Sequence, residues 1–326
     1  SALSTAQLAA IQTDDVAGFS SRQIGLLGTD QLNALSTSAF ASLSSTQVGS
    51  FTTIQVAALS TSLLGALEAA DFAAFSTTQL RALDSAQLTL LGTDDFAAIS
   101  STQIAALSTM QLLGLGTDDI RALGSTQVAG LTTAQVASLS TAQLSALEAD
   151  DVGALGTRQL AVLSTDQLRA LSTAGIAAMG STQVASLSTA QLAGLSTQQV
   201  AAFSTVQVAA FTTSQMAVLS TQQIQSLSVA DFAAFSTTQL RAFDTAQLQA
   251  LTTAAIEGLS STQIAGLTSA QLVALTTQQV RAIEAADLSA LTTANLSKLL
   301  DDQVKSLTTA QVAALSSSQV AGLTTG

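Results

Sequence analysis

Large apolar residues return at two fixed places in every eight along this chain. Cut at Leu3, the sequence reads LSTAQLAA, IQTDDVAG, FSSRQIGL, LGTDQLNA and continues to LSSSQVAG at 315–322, which is forty octads with no insertion or deletion. Position 1 is always Leu, Ile, Phe or Met, and position 6 is always Leu, Val, Ile, Phe or Met. No charge enters either place, so these two positions are the expected core. Position 5 is Gln in 28 of the 40 octads and Asp in seven: Asp15, Asp71, Asp95, Asp119, Asp151, Asp231 and Asp287. Positions 2 and 3 are mostly Ser and Thr, and positions 7 and 8 mostly Ala, Gly or Ser.

Three backbone conformations compete for such a unit. In one continuous α-helix, eight residues overshoot two turns, and the apolar stripe would rotate by roughly 80° per octad and never form a seam. A heptad coiled coil fails for the same reason. In a strand, positions 1 and 6 have opposite parity and would point to opposite faces. A β-solenoid remains the alternative. The pattern favours one short helix per octad. Ser or Thr at position 2 and Gln at position 5 make the S/T-x-x-Q capping box, which places positions 3 to 8 in a helix. Position 6 and the next position 1 are then three apart and share a face.

Charge supports this direction independently. A helix favours acids in its first turn and bases in its last. Of the 21 acids, 20 lie at positions 2 to 5, and Glu257 is the exception; seven of the nine bases (Arg81, Arg121, Arg169, Arg241, Arg281, Lys298 and Lys305) lie at positions 7 or 8. Arg22 and Arg158 depart from the rule. Gly28, Gly92, Gly116, Gly124, Gly156 and Gly180 occupy position 2, where glycine is an acceptable cap. Helices of under two turns do not survive alone. The expected fold is therefore all-α: a solenoid of very short capped helices stabilised by stacking on their neighbours. Three octads per turn would stack residues 24 apart, but the sequence does not fix that number. The whole of 1–326 reads as one continuous array, with the octads at 3–322. A weaker 80-residue super-repeat lies over it, seen in EAADFAAFSTTQLRALDSAQL from Glu68, EADDVGALGTRQLAVLSTDQL from Glu148 and SVADFAAFSTTQLRAFDTAQL from Ser228. Its ten octads suggest duplication in blocks, or a whole number of superhelical turns.

Composition narrows the chemistry. The 326 residues contain no His, Cys, Trp, Tyr or Pro, only 9% are charged, and the net charge is -12. Without His or Cys the usual general bases, thiol nucleophiles and soft metal ligands are missing. The many hydroxyls are better explained as helix caps, and no enzyme, catalytic residue, cofactor or metal site is expected. So acidic a chain carries no electrostatic footprint for nucleic acid or anionic lipid. Mean hydropathy is +0.47, yet Ser, Thr or Gln breaks every apolar stretch well short of the ~18 residues a membrane span needs. Neither a span nor a signal peptide is expected.

The pairs Asp14-Asp15, Asp94-Asp95, Asp118-Asp119 and Asp150-Asp151 suggest a hard cation. Asp71, Asp95 and Asp119 are spaced by 24 and would align in a three-octad turn. These pairs lack the Gly and Asp spacing of calcium loops, and they read as first-turn acids serving the helix dipole. Thr at a fixed spacing in position 3 raises ice binding, which capping explains without a flat surface. The octad LLDDQVKS at 299–306, with Lys298, Asp301, Asp302 and Lys305, reads as a degenerate repeat.

The unit L-[ST]-T-x-Q-[VIL]-A-[AG], written as LTTAQVAS at 131–138 and LTTAQVAA at 307–314, resembles arrays in very large bacterial secreted or cell-surface proteins. The resemblance covers nearly the whole chain. It implies an extracellular, fibrous or adhesin-like role and carries over no active-site residues. The chain opens on Ser1 and stops within an octad, as a fragment or processed product would. Neither end carries a polar capping repeat. The expectation is a structural rod, filament or stalk whose partner is itself, joined head to tail. The alternative is an adhesin or scaffold that presents the variable outer positions 4 and 7 to a cell-surface partner.

Overall fold

A computed structural model describes residues 3–323. Among the described residues there are forty short α-helices of four to seven residues and no strand. Each octad supplies one helix, as in Thr133–Ser138, Thr141–Ala146 and Ala149–Ala154. The all-α solenoid expected from the sequence is the fold, and the β-solenoid is excluded.

Each helix starts where the capping box places it. At Thr133–Ser138 the Thr132 hydroxyl accepts from the Gln135 amide at 3.2 Å, and the Gln135 side-chain oxygen accepts from the Thr132 amide at 2.8 Å. Where position 2 is Gly, half of the box survives: the Gly124 amide donates to Gln127 Oε1 at 2.7 Å. Two extended residues then turn the corner to the next helix. Leu139 has φ -60° and ψ 135°, and Ser140 has φ -70° and ψ 160°. Among the described residues no φ is positive, so no glycine is needed for the bend.

The core consists of positions 1 and 6. Val136 and Leu144 are 0% exposed, and Leu139 and Leu147 are 3% and 4% exposed. Phenylalanines fill the same places and meet one another, as in the edge-to-face pair Phe203 and Phe211 with ring centroids 5.3 Å apart.

The described chain divides into two compact units between Leu163 and Ser164. The octad register runs through that boundary, with Leu163 at position 1 and Ser164 at position 2. Within each unit a helix packs on the third helix before it and the third after it, as Ser101–Ala106, Ser125–Gly130 and Ala149–Ala154 do. Position 8 of one octad faces position 3 of the third octad before it. A Cβ on Gly130 would lie 2.8 Å from the Ser101 Cβ, and one on Gly194 would lie 3.0 Å from the Thr165 Cβ. The small residues at position 8 thus let turns approach.

The turn is longer than three octads. Side chains reach main-chain oxygens 25 residues ahead, as Asn33 does at Ala58, and 28 and 31 residues back, as Gln55 does at Leu27 and Ile24. The central value, 28 residues, is three and a half octads. Two turns therefore take seven octads, and three take ten and a half. The super-repeat of ten octads is not a whole number of turns, which leaves block duplication as its reading.

Candidate functional site

The chemistry that recurs along the chain lies between turns, and its centre is position 5. Gln135 is 2% exposed, although it is polar. Its Oε1 is used by the cap. Its Nε2 donates to the carbonyl oxygens of Ile104 at 2.8 Å and Leu107 at 2.9 Å, 31 and 28 residues earlier. Those acceptors are position 6 of one octad and position 1 of the next, so the amide clasps the corner between two helices of the preceding turn. Gln143 repeats the arrangement at Leu112 and Leu115, and Gln279 repeats it at Leu248 and Leu251. Buried Gln is tolerable because both donors and the acceptor are satisfied. Among the described residues no buried side-chain polar atom lacks a partner.

From the sequence, Gln at position 5 serves only its own helix cap. A signal for the second role is nevertheless present, because position 5 is never Glu. Glu would cap as well and suit the helix dipole better. The preference for Gln over Glu in 28 octads fits a use for N–H donors there, a use the seven Asp octads forgo.

The Asp pairs sit where the sequence places them, in first turns. Asp71, Asp95 and Asp119 lie on Ala69–Ala74, Thr93–Ala98 and Thr117–Ala122, which pack in succession. Their carboxylates turn to their own N-termini, accepting from the amides of Glu68 at 3.0 Å, Gly92 at 2.7 Å and Gly116 at 2.9 Å. Among the described residues no three His, Cys, Asp or Glu side chains gather as a metal site would require. Burial raises the carboxyls of Asp95, Asp119 and Asp151 above the usual Asp value of 3.8; the amide bonds from Gly92, Gly116 and Glu148 oppose the shift, and the acids Asp94, Asp118, and Asp150 with Glu148, add to it. Asp118 forms an exposed ion pair with Arg121 at 2.6 Å on its own helix. In the octad at 299–306, Lys305 and Asp302 approach to 4.0 Å, both exposed. Position 3 supplies first helical residues such as Thr133 and Thr141. Among the described residues no helix is long and apolar enough to cross a membrane.

Segments 25–61, 64–98, 113–149, 144–181, 165–197, 175–205, 197–229, 229–260, 242–277 and 280–325 match the ALTTAQ repeat. The chain belongs to the ALTTAQ repeat family. The six letters of that name fall on position 8 and positions 1 to 5 of the octad, and Ala274 to Gln279, ALTTQQ, differs from them at position 4 alone. In an ALTTAQ repeat the apolar anchor, the cap and the axial Gln are therefore all written in the name. Among curated proteins none matches the chain. Membership of this family, with its helical array, fits a structural repeat protein.

Proposed function

We propose that the chain is a structural segment of an extracellular rod, filament or stalk on or outside a bacterial cell, extended by head-to-tail joining to further turns of the same kind. The observation that carries this reading is the clamp between Gln Nε2 and the corner carbonyls one turn back. It has a donor side and an acceptor side, so it is heterologous, and such a contact propagates without closing. Within each unit it recurs with the same position 1 acceptor, from Gln47 to Gln159 in the first and from Gln199 to Gln319 in the second. Resemblance of the unit to large bacterial surface arrays supports the location.

Electron microscopy and sedimentation of the purified protein test the joining. Fibres that lengthen with concentration are the expected result; discrete particles at every concentration would remove self-joining from the reading. Labelling of intact source cells with a membrane-impermeant reagent tests the location.

A second reading, a binding module, draws on the outer face. Ile54, Met110 and Val206, all at position 4, are 73%, 71% and 69% exposed. Large apolar side chains there cost solubility and do nothing for the core, as expected of contacts to a cell-surface partner. Discrete particles that bind a surface partner, and lose it on substitution of these three, would favour this reading.

A further inference from the structure

The twelve octads without Gln at position 5 are not scattered around the solenoid. In the first unit they fall into three columns, each stepping by seven octads, the length of two turns. Asp15 leads to Asp71; Ala39 leads to Asp95 and Asp151; Leu63 leads to Asp119. Among the first unit's Gln residues at position 5, just Gln7 and Gln127, at column ends, share these columns. Successive columns are three octads apart, half an octad short of a turn, and so lie side by side. The Gln octads at 47 and 103, and at 79 and 135, keep the same seven-octad step elsewhere on the circumference. In the second unit Gly175, Asp231 and Asp287 form one column with the same step; Ala255, three octads after Asp231, lies beside it, and Asn295, one octad after Asp287, lies outside it.

What these octads lack is the axial clamp. Ala, Leu and Gly have no side-chain donor, and an ionised Asp offers only acceptors. The corner carbonyls of Leu67, Leu91 and Leu123, one turn before Asp95, Asp119 and Asp151, receive no side-chain amide from the turn above. Three of the twelve keep a single different link, in which a position 3 hydroxyl donates to them: Ser45 to Asp71 at 2.9 Å, Ser261 to Asp287, and Ser269 to Asn295 at 3.0 Å. Elsewhere on the circumference, Gln47, Gln79, Gln103 and Gln135 each send two or three bonds to the turn below.

We infer that each unit has a tied side and an untied side, and that its turns separate first along the untied one. The device is directional compliance: the solenoid opens towards a set face, chosen by the residue at position 5, with its core positions unchanged.

Hydrogen exchange by mass spectrometry on the full chain reads this directly. Amides of Thr93–Ala98 and Ala149–Ala154 are expected to be protected about fivefold less than those of Ser101–Ala106 and Thr133–Ser138, the size of one lost hydrogen bond. The triple variant A39Q/D95Q/D151Q installs the residue that other octads use in the same place, and A39Q alone does so without a change of charge. Each is expected to raise protection in its own helix to that of the tied side. Equal protection on both sides of the parent would overturn the inference. So would Gln variants that leave exchange unmoved or slow it equally everywhere.

Discussion

The side-chain amide of Gln135 donates to the main-chain oxygen of Leu107, 28 residues earlier, at 2.9 Å. With the bond to Ile104 it ties two turns together, while its Oε1 caps its own helix. The two tasks can be separated by substitution. Gln135→Glu keeps the capping acceptor and removes both donors, leaving a buried charge against two carbonyl oxygens. Gln135→Met removes polarity at similar volume. The Glu variant is expected to lose more stability at neutral pH than the Met variant, by about 1–3 kcal/mol. Chemical denaturation of both, with exchange across 101–107, checks this. A Glu variant as stable as the parent, with the loss confined to the Met variant, would show that only the cap matters.

Leu139 sits in position 1 at 3% exposure, at the corner between two helices. Leu139→Asp puts an unpaired carboxylate in the core and is expected to unwind the octads around it, since each unit is held by near neighbours. Loss of protection centred on 131–147 is the expected readout. A variant that melts as the parent does would mean position 1 is not core.

Gly258 packs against Val229, three octads before it, so closely that an added Cβ would overlap Val229 Cγ1. Gly258→Ala is expected to destabilise the parent, and to be neutral or stabilising in a Val229→Ala background, where Ala contributes its better helix propensity. The coupling in the double-mutant cycle should be about 1 kcal/mol. Additive effects would mean that position 8 and position 3 do not share that space.

Asp95, Asp119 and Asp151 hold their protons more tightly when folded than the usual Asp does, first because burial disfavours the charged form. Charged groups near them are the acids Asp94, Asp118, Asp150 and Glu148, and Arg121 is committed to Asp118. With a raised folded value, their contribution to stability is fully present below the ordinary Asp value of 3.8 and is lost as pH rises through the raised one. Relative to D95N/D119N/D151N, the parent should therefore gain melting temperature as pH falls through this window. Parallel melting curves for the two proteins from pH 3 to 6 would contradict it.

The octad makes much of the fold legible. Freedom from charge marks Leu139 and Val136 as core, and Thr132 with Gln135 marks a helix start by a four-residue pattern. Both signals are local, and eight residues suffice to determine them. The length of the turn is not legible, because it is the sum of small rotations at corners such as Leu139-Ser140, and modest changes at each decide between three and four octads. The reach of Gln135 to Leu107 is hidden for the same reason: its partner is a main-chain oxygen one full turn away, and a carbonyl leaves no trace in a sequence.

That same feature bears on how such arrays change over generations. The acceptors of the clamp belong to the backbone, which every octad possesses, so the joint between turns is blind to which octads meet there. Recombination that inserts or removes whole octads brings each Gln to a new pair of carbonyls indistinguishable from the old. Length is then free to drift, and only a slip that is not a multiple of eight is punished.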